Sequence, residues 1–592
     1  MRPAYRILFV LTCAIPFTPA VQRTPLDPRC LPDSALDVRQ TSSNILPEDY
    51  VGPGACIQCH RHKHELWSAH PHSRMNQLPG PESVVGDFAG HTLRLPAGNV
   101  TFTSEGGSYR MSVQRGGEHV RSYEVTRTVG SRFAQFYIGV QRDGPEPAGH
   151  AVYSEHMLPF AWWMSLGRWL PKPFFDADGP EELKDGIPLV EGIDHVRDIR
   201  PYNAVCMNCH NTFSYSYRIF DPMFAGFPDA TVGAVVGPLS RQLSASVPVQ
   251  PTAASFKSLN GRLDPDRHLV TLGISCESCH FGCREHAREG GSVHFLPTSP
   301  LVRVAPRNHD KAPSDSRQDA ATINGICAQC HSGNTRLFAN GAAHANSSEA
   351  YDFRRGSCSS QLRCVSCHEP HTAGPAPGGP DQPKHLALCS TCHEAFRDPM
   401  RAAAHTGHPA SAGVTCLDCH MPRYTLGLEE VVRTHRIAVP VEQAMVTRAS
   451  ANACNLCHLD RSLRWTTEAL EHRWGKKLEL PTEGSVAADV DRPLGEVWLR
   501  GSEQALRLVA GQAYARSSAG KSNLPELLNA LDDSEPINRV FAQKAVERLR
   551  GRKLQPDEYR LTAAPQERRL QIDQLLQRVS TTAAPALPSR AR

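Results

Sequence analysis

Sixteen of the 20 cysteines lie in eight C-x-x-C pairs, and a histidine directly follows every pair. Residues i and i+3 of a helical turn face the same side, so both thiols of a pair can reach the two vinyl groups along one porphyrin edge. The histidine that follows can then bind the iron. The spacing therefore predicts eight covalently attached haem c groups. Numbered in chain order as motifs 1 to 8, each with its histidine as the proximal ligand, they are Cys56-Cys59-His60, Cys206-Cys209-His210, Cys276-Cys279-His280, Cys327-Cys330-His331, Cys364-Cys367-His368, Cys389-Cys392-His393, Cys416-Cys419-His420 and Cys454-Cys457-His458.

Zinc binding and a disulfide framework are the alternatives for a chain with this many cysteines. Neither requires a histidine at the same place after every pair. With 28 histidines in 592 residues, chance would place one after about one pair in twenty. The pattern therefore favours haem at all eight motifs.

Four cysteines remain outside the motifs. Cys13 lies in the N-terminal apolar stretch, and the sequence leaves the pairing of Cys30, Cys283 and Cys358 open. Because Cys283 lies just after motif 3, we expect it to be buried against that haem.

A second axial ligand for each iron must come from the 20 histidines outside the motifs. Candidates lie in short polar stretches near the motifs, and a second tier comprises His64, His72, His309 and His344. Two histidine ligands suit electron transfer and keep substrate away from the iron, whereas an open iron would allow catalysis. Long flanking segments make motifs 2 and 3 the candidates for an open iron. The first-tier distal candidates are His70, His286, His371, His408 and His435.

The N-terminus has the layout of a secretory signal peptide. Two arginines in MRPAYR precede an apolar stretch over residues 7–21, and Ala20 offers a small residue for cleavage. With 15 residues and two prolines the stretch is short for a membrane anchor, which needs about 20 residues. We therefore expect an exported protein, periplasmic or extracellular, that meets a membrane only through partners or an uncleaved N-terminus.

Charge and motif density constrain the architecture and the partners. A net charge of +4 over 592 residues argues against a nucleic-acid-binding face. Motifs 4 to 8 occupy residues 327–458, about 26 residues per haem, and fewer than about 40 residues cannot form a core alone. These haems must therefore pack against one another, as electron hopping requires.

The flanking regions show the periodicities of regular structure. Alternating runs over residues 108–115, 119–129 and 132–140, separated by glycines, are typical of an antiparallel meander. Apolar residues over 536–550 follow helical spacing, with Pro536 at the start and Gly551 as the C-terminal cap. We thus expect a mainly α and irregular multihaem core with a small antiparallel β subdomain and a C-terminal helical domain. The expected boundaries are 1–21 signal peptide, 22–85 segment with haem 1, 86–160 β-rich subdomain, 161–460 core with haems 2 to 8, 461–580 helical and possibly HEAT-like domain, and 581–592 disordered tail.

Two stretches resemble a known superfamily. VTCLDCHMPRYTLGLEEVVRTHRIAVP, followed by NACNLCH, is similar to the C-terminal haem region of the multihaem cytochromes c that include nitrite reductase and hydroxylamine oxidoreductase. YVGPGACIQCH with a later W-x-x-H, and GISCESCH with His286, resemble exported proteins with doubled C-x-x-C-H domains. The resemblance implies that His435 is a distal ligand. The C-x-x-C-K motif of the nitrite reductases does not occur in this sequence, and no equivalent of the cross-linked tyrosine of hydroxylamine oxidoreductase is identified.

These observations favour an octahaem c-type cytochrome that carries electrons between donor and acceptor proteins. The alternative is an octahaem oxidoreductase that acts on a small nitrogen or sulfur compound at one five-coordinate haem. A third hypothesis makes the chain chiefly a docking subunit of a larger redox complex.

Overall fold

The structure is a computed structural model that describes residues 43–144, 154–175, 200–218, 230–234, 263–298, 302–306, 319–333, 336–374 and 383–583. The predicted signal peptide, Cys30, His309 and most of the predicted C-terminal tail lie outside these ranges. Within them, no helix is both long and apolar enough to cross a membrane.

The described residues form helices and antiparallel sheets. The strands are β1 Asn76–Gln77, β2 Ala89–Leu95, β3 Gly98–Glu105, β4 Ser108–Arg115, β5 Glu118–Val129, β6 Ala134–Asp143, β7 His156–Met157, β8 Phe160–Trp163, β9 Arg168–Pro171, β10 Asn211–Phe213, β11 Ala230–Ala234, β12 Leu269–Leu272, β13 Val302–Pro306, β14 Arg423–Leu426 and β15 Val431–Arg433. The helices are α1 Ile57–Ser68, α2 Tyr202–Val205, α3 Met207–His210, α4 Pro265–His268, α5 Glu277–His280, α6 Arg284–Glu289, α7 Ala320–Ala328, α8 Glu349–Arg354, α9 Cys364–Cys367, α10 Pro383–Cys392, α11 Pro399–Thr406, α12 Cys416–His420, α13 Gln443–Thr447, α14 Leu463–Trp474, α15 Gly484–Asp489, α16 Leu494–Arg500, α17 Gln504–Tyr514, α18 Leu524–Asn529, α19 Pro536–Arg550 and α20 Pro565–Ala583.

A nine-stranded antiparallel sheet follows motif 1. Its strands lie in the order β2-β3-β4-β5-β6-β8-β9, with β1 paired to β5 and β7 paired to β6. The predicted meander is present, and the sheet continues beyond residue 160 to Pro171. Gly106 and Gly107 connect β3 to β4 with φ values of 58° and 83°, a conformation in which glycine has no steric penalty.

The sheet encloses an aromatic core of its own. Tyr109, Met111 and Val113 are buried, as their alternation along β4 predicts. The rings of Phe102 and Trp169 stack with their centroids 3.8 Å apart. Of the tryptophans in the 158–175 cluster, Trp169 therefore belongs to the core of the sheet.

Trp163 links the sheet to the C-terminal helices. Its ring lies 6.3 Å from that of Phe541 on α19, and the Lys544 ammonium lies 5.6 Å from its centroid. Leu459, directly after motif 8, is buried in the same apolar cluster. The helices after residue 462 thus cover one end of the motif region and also pack on the sheet.

Helix α19 begins and ends as its sequence predicts. It spans Pro536–Arg550, and Gly551 ends it in the left-handed conformation with φ 67°. The preceding segment forms α18 and a 3-10 turn over Ala530–Asp532, both packed against α19.

Glu558 ties the last two helices together through arginines. Its side chain is 7% exposed, and Arg552 donates two hydrogen bonds to it, at 2.6 and 2.7 Å. Arg578 on α20 donates a third at 3.3 Å. The hydrogen bonds from Arg552 outweigh burial and lower the pKa of Glu558 to about 2.

We expect Glu558→Gln to destabilise this helical region at neutral pH by about 2 kcal/mol, as is typical when a charged hydrogen-bond partner is lost. Because the pKa of the folded state is depressed, the stabilisation is present above the ordinary pKa of 4.5 and is lost as the pH falls toward 2. Thermal unfolding of both proteins between pH 7 and pH 3 measures the difference, which should shrink with acidification. Glu567→Gln is the matched control, because the Arg560–Glu567 pair is 43% exposed on both sides. A pH-independent difference would contradict the assignment.

Candidate haem sites

The described part of each motif forms a helical turn that presents two thiols and one imidazole. In six motifs the backbone N–H of the histidine donates to the carbonyl of the first cysteine, which closes the turn. The donor–acceptor distances are 3.2 Å for His210, 2.9 Å for His280, 3.0 Å for His331, 3.0 Å for His368, 3.0 Å for His393 and 2.9 Å for His458. None of the motif cysteines, all of which lie in the described ranges, forms a disulfide. This is the local geometry that thioether attachment along one porphyrin edge needs.

Six of the motif histidines face a second histidine across a gap. A metal–imidazole bond is about 2 Å long, so two imidazoles on opposite sides of one iron have centroids about 6 Å apart. The observed centroid separations match this value. They are 6.0 Å for His60–His286, 6.4 Å for His331–His72, 6.3 Å for His280–His371, 6.2 Å for His368–His435, 6.3 Å for His420–His405 and 6.0 Å for His458–His408.

The facing histidine usually comes from a different part of the chain from its motif. His286 follows motif 3 but faces His60 of motif 1. His371 follows motif 5 and faces His280 of motif 3. The motifs are therefore interleaved, and a row of separately folded sites would not give this arrangement.

Two positions differ from the distal candidates chosen from the sequence. The structure places His72, and not His70, opposite His331; the Nδ1 of His70 instead accepts from the backbone N–H of His72 at 3.0 Å. His405 was not among the candidates and lies parallel to His420, with an angle of 2° between the rings. The available signal was the spacing of His405 and His408, two imidazoles three residues apart before motif 7.

The other second-tier candidates have structural contacts. The His64 ring lies 5.0 Å from that of Trp67. The His344 ring lies 4.2 Å from that of Phe338, and its Nε2 is 3.5 Å from a Glu503 oxygen.

His210 and His393 are the two motif histidines for which the described residues contain no facing histidine. The Nδ1 of His210 is buried without a hydrogen-bond partner in these ranges. Burial lowers the pKa of His210 to about 4, so the imidazole is neutral and able to bind iron.

Thiols of neighbouring motifs lie close enough together to shift one another's pKa values. In a haem-loaded chain these sulfurs are attached to porphyrin edges, so motifs whose thiols lie close together would hold their haems side by side. These pairs are Cys56 with Cys276, Cys209 with Cys330, Cys327 with Cys364, and Cys389 with Cys416, which join motifs 1 and 3, 2 and 4, 4 and 5, and 6 and 7.

Two hydrogen bonds and one electrostatic interaction between thiols connect the remaining motifs into a row. Gln329 of motif 4 donates to the carbonyl of Ser278 in motif 3 at 3.3 Å. His385, on the helix of motif 6, lies 3.0 Å from the Cys367 carbonyl of motif 5 through Nε2. Cys419 of motif 7 lies close enough to Cys454 of motif 8 for the two thiols to interact electrostatically. The motifs thus follow one another in the order 1-3-4-5-6-7-8, with motif 2 beside motif 4.

The Nδ1 atoms of the motif histidines have different partners. His331 Nδ1 lies 3.0 Å from Glu349 Oε2, and His420 Nδ1 lies 2.9 Å from the Ala438 carbonyl. Burial alone would lower the pKa of His331, but the hydrogen bond to Glu349 raises it. The Nδ1 of His280 is buried and has no partner within the described residues.

Cys283 lies against two motifs. Its thiol is buried, and its pKa is raised to about 12, first by burial and then by the nearby Glu277 and Cys56. The thiol donates to the carbonyl of Phe281, directly after motif 3, at 3.3 Å. Packing of Cys283 on the haem of motif 3 stays a prediction.

Comparison with known proteins points in the same direction. A cytochrome c552 family model matches residues 395–483, which include motifs 7 and 8. Two relatives from strains of Geobacter sulfurreducens, both named C-type polyheme cytochrome OmcB, are 22% identical over 232 residues, which is 32% of this chain and 31% of theirs. The chain therefore matches about a third of the length of these relatives.

Two solved structures share a broad likeness. The outer cell wall cytochrome OcwA has a TM-score of 0.36 and 14% identity, over 90% of this chain and 99% of that protein. The octaheme sulfite reductase MccA of Wolinella succinogenes has a TM-score of 0.30 and 14% identity, over 92% of this chain and 86% of that protein. TM-scores of this size do not establish a common fold.

The repeated motifs, the family match over residues 395–483 and the OmcB relatives together support a multihaem c-type cytochrome. Its residues fit haem c, because the thiol pairs and the six imidazole pairs have the spacing that covalent attachment and two-sided ligation require. These features support multihaem electron transfer.

Proposed function

We propose that the chain is an exported octahaem c-type cytochrome that carries electrons along a continuous row of haems, in the periplasm or outside the cell. The observation that carries the proposal is the succession of hydrogen bonds and closely spaced thiols between neighbouring motifs, from motif 1 through motifs 3, 4, 5, 6 and 7 to motif 8. A row of this kind gives an electron a short step at every stage. Donor and acceptor proteins would meet its ends.

Six of the eight irons would carry two imidazoles. The facing pairs would hold each of these irons on both sides, so that the iron exchanges an electron without gaining or losing a ligand. The haem supplies one-electron redox chemistry when bound. The chain's own residues attach it, fix its axial imidazoles and exclude other ligands from the iron.

Intact mass and electron paramagnetic resonance test this proposal on the protein produced with haem-attachment machinery. We expect the mass of the chain plus eight haems and a ferric spectrum dominated by low-spin signals. A colourless product, or a spectrum dominated by high-spin iron, would contradict it.

A second candidate function arises at motif 2. His210, whose Nδ1 is buried, has no facing histidine within the described residues. Its haem is therefore the candidate for an open axial position, which is the requirement for reduction or oxidation of a small nitrogen or sulfur compound. The other haems would then conduct electrons to or from this centre.

We expect a high-spin signal that belongs to the haem of motif 2 and disappears in the Cys206→Ala/Cys209→Ala variant. Cyanide should convert the same signal to low spin, because it fills the open position. Assays with nitrite, hydroxylamine, tetrathionate and sulfite then test whether the position supports turnover. Cys389→Ala/Cys392→Ala, which removes the haem of motif 6, is the control for the other motif without a facing histidine. A high-spin signal that is unchanged by loss of the motif 2 haem and disappears with the motif 6 haem would rule out this assignment.

A further inference from the structure

Motif 4 is the junction of the row. Its thiols lie close to Cys209 of motif 2 and Cys364 of motif 5, and its Gln329 donates to the Ser278 carbonyl of motif 3 at 3.3 Å. Arg218 adds a second link to motif 2, because it donates to the carbonyls of Asn208 and Gln329 at 2.6 and 3.4 Å. Electrons that pass between the N-terminal and C-terminal motifs would have to use the haem of motif 4.

The histidine of motif 4 has a carboxylate partner that the fold holds in place. Glu349 Oε2 lies 3.0 Å from His331 Nδ1, and the backbone N–H of Ser347 donates to Glu349 Oε1 at 3.0 Å. The backbone N–H of Ala350 donates to the His331 carbonyl at 2.8 Å. The carboxylate is thus fixed from both sides at the first turn of α8.

This arrangement differs from that of the other motif histidines in the described ranges. His420 has only a carbonyl at Nδ1, and His210 and His280 have no Nδ1 partner there. His371, which faces His280, does have a carboxylate neighbour, because Glu369 Oε1 lies 3.1 Å from its Nδ1. The Glu369 side chain is, however, 53% exposed. The Glu349 side chain is 27% exposed, so water screens its charge less.

A carboxylate that accepts a hydrogen bond from Nδ1 makes the imidazole a stronger donor to the metal at Nε2. A stronger axial donor favours the ferric over the ferrous state and lowers the reduction potential of the haem. The effect acts through the ligand and needs no change in the number of ligands.

We propose that Glu349 sets the junction haem at a lower potential than its neighbours and so divides the row into two electron pools. One pool comprises the haems of motifs 1, 2 and 3, and the other those of motifs 5 to 8. An electron would rest on either pool and cross the junction only transiently. This inference depends on the proposed row of haems and adds a tuning residue to it.

Potentiometric titration of the full haem-loaded chain, followed by electron paramagnetic resonance and visible spectra, tests the assignment with Glu349→Gln. The amide keeps the size and an acceptor oxygen but removes the charge. We expect an upward shift in the midpoint potential of one low-spin haem, with the number of haems and of low-spin signals unchanged. Glu349→Asp keeps the charge but withdraws it from Nδ1, and should shift the same haem in the same direction.

Two controls make the outcome specific. Glu369→Gln removes the exposed carboxylate at His371 and should shift a different haem by less. Glu471→Gln, on the exposed face of α14, should shift none. Unchanged potentials in both Glu349 variants, with all low-spin signals retained, would overturn the tuning role and leave the row of haems intact. Loss of low-spin signals in the unmodified protein would instead overturn the proposed function.

Discussion

A Cys364→Ala/Cys367→Ala variant is expected to lose the haem of motif 5 and, with it, electron exchange between the two ends of the row. In the order proposed from the motif contacts, this haem is the single link between motif 4 and motif 6. Its loss leaves a gap of a whole haem. Electron transfer across this gap is slower by orders of magnitude than transfer between neighbouring haems. Protein held on an electrode through a C-terminal tag reports the effect, because fast voltammetry should then detect only the haems of motifs 6, 7 and 8.

The Cys206→Ala/Cys209→Ala variant is the matched control. It also lacks one haem, but motif 2 lies beside motif 4 as a branch. All the remaining haems should therefore still exchange electrons with the electrode. Intact mass confirms the loss of one haem in each variant, and far-ultraviolet circular dichroism confirms the fold. Undiminished conduction without the haem of motif 5 would show that the order is wrong.

The second large effect is expected for His405→Ala. The His405 and His420 rings lie parallel, 6.3 Å apart, and Trp474 Nε1 donates to the His405 carbonyl at 2.7 Å, which fixes the end of α11. Removal of the imidazole should open one axial position of the motif 7 haem. We expect one low-spin ferric signal to become high-spin and the variant to bind azide or cyanide.

His472→Ala is the control, because it removes a histidine that is not expected to bind iron. His472 lies exposed on α14 and faces none of the motif histidines in the described ranges. Its replacement should leave the spectrum unchanged. If His405→Ala retains every low-spin signal, the axial partner of His420 must be another residue, and the pairing by ring separation fails at this site.

Local features of the fold followed from the sequence because they depend on neighbouring residues. The helix over 536–550 is present with the predicted ends, since Pro536 determines its start and Gly551 its end. Strand Ser108–Arg115 is present for a similar reason, because glycine pairs bound a run with alternating polarity. Thiol and histidine spacing in the motifs is local as well, and eight attached haems remain a prediction from it.

The histidine that faces each motif histidine could not be predicted from the sequence in the same way. His286 follows motif 3 and His371 follows motif 5 in the sequence, yet the structure turns them toward His60 and His280. A histidine that completes an iron is chosen by tertiary packing, and its distance along the chain carries no information about that choice. For the same reason the sequence favours His70, whereas the structure turns His72 toward His331.

The interleaving of the imidazoles has a consequence for assembly on a chain that emerges N-terminus first. His72 precedes motif 4 in the chain, so both imidazoles of that site would be available when its haem is attached. The site at motif 1 would lack its second imidazole until His286 has followed. Haem attached early at motif 1 would therefore stay accessible on one side until the middle segment of the chain has arrived.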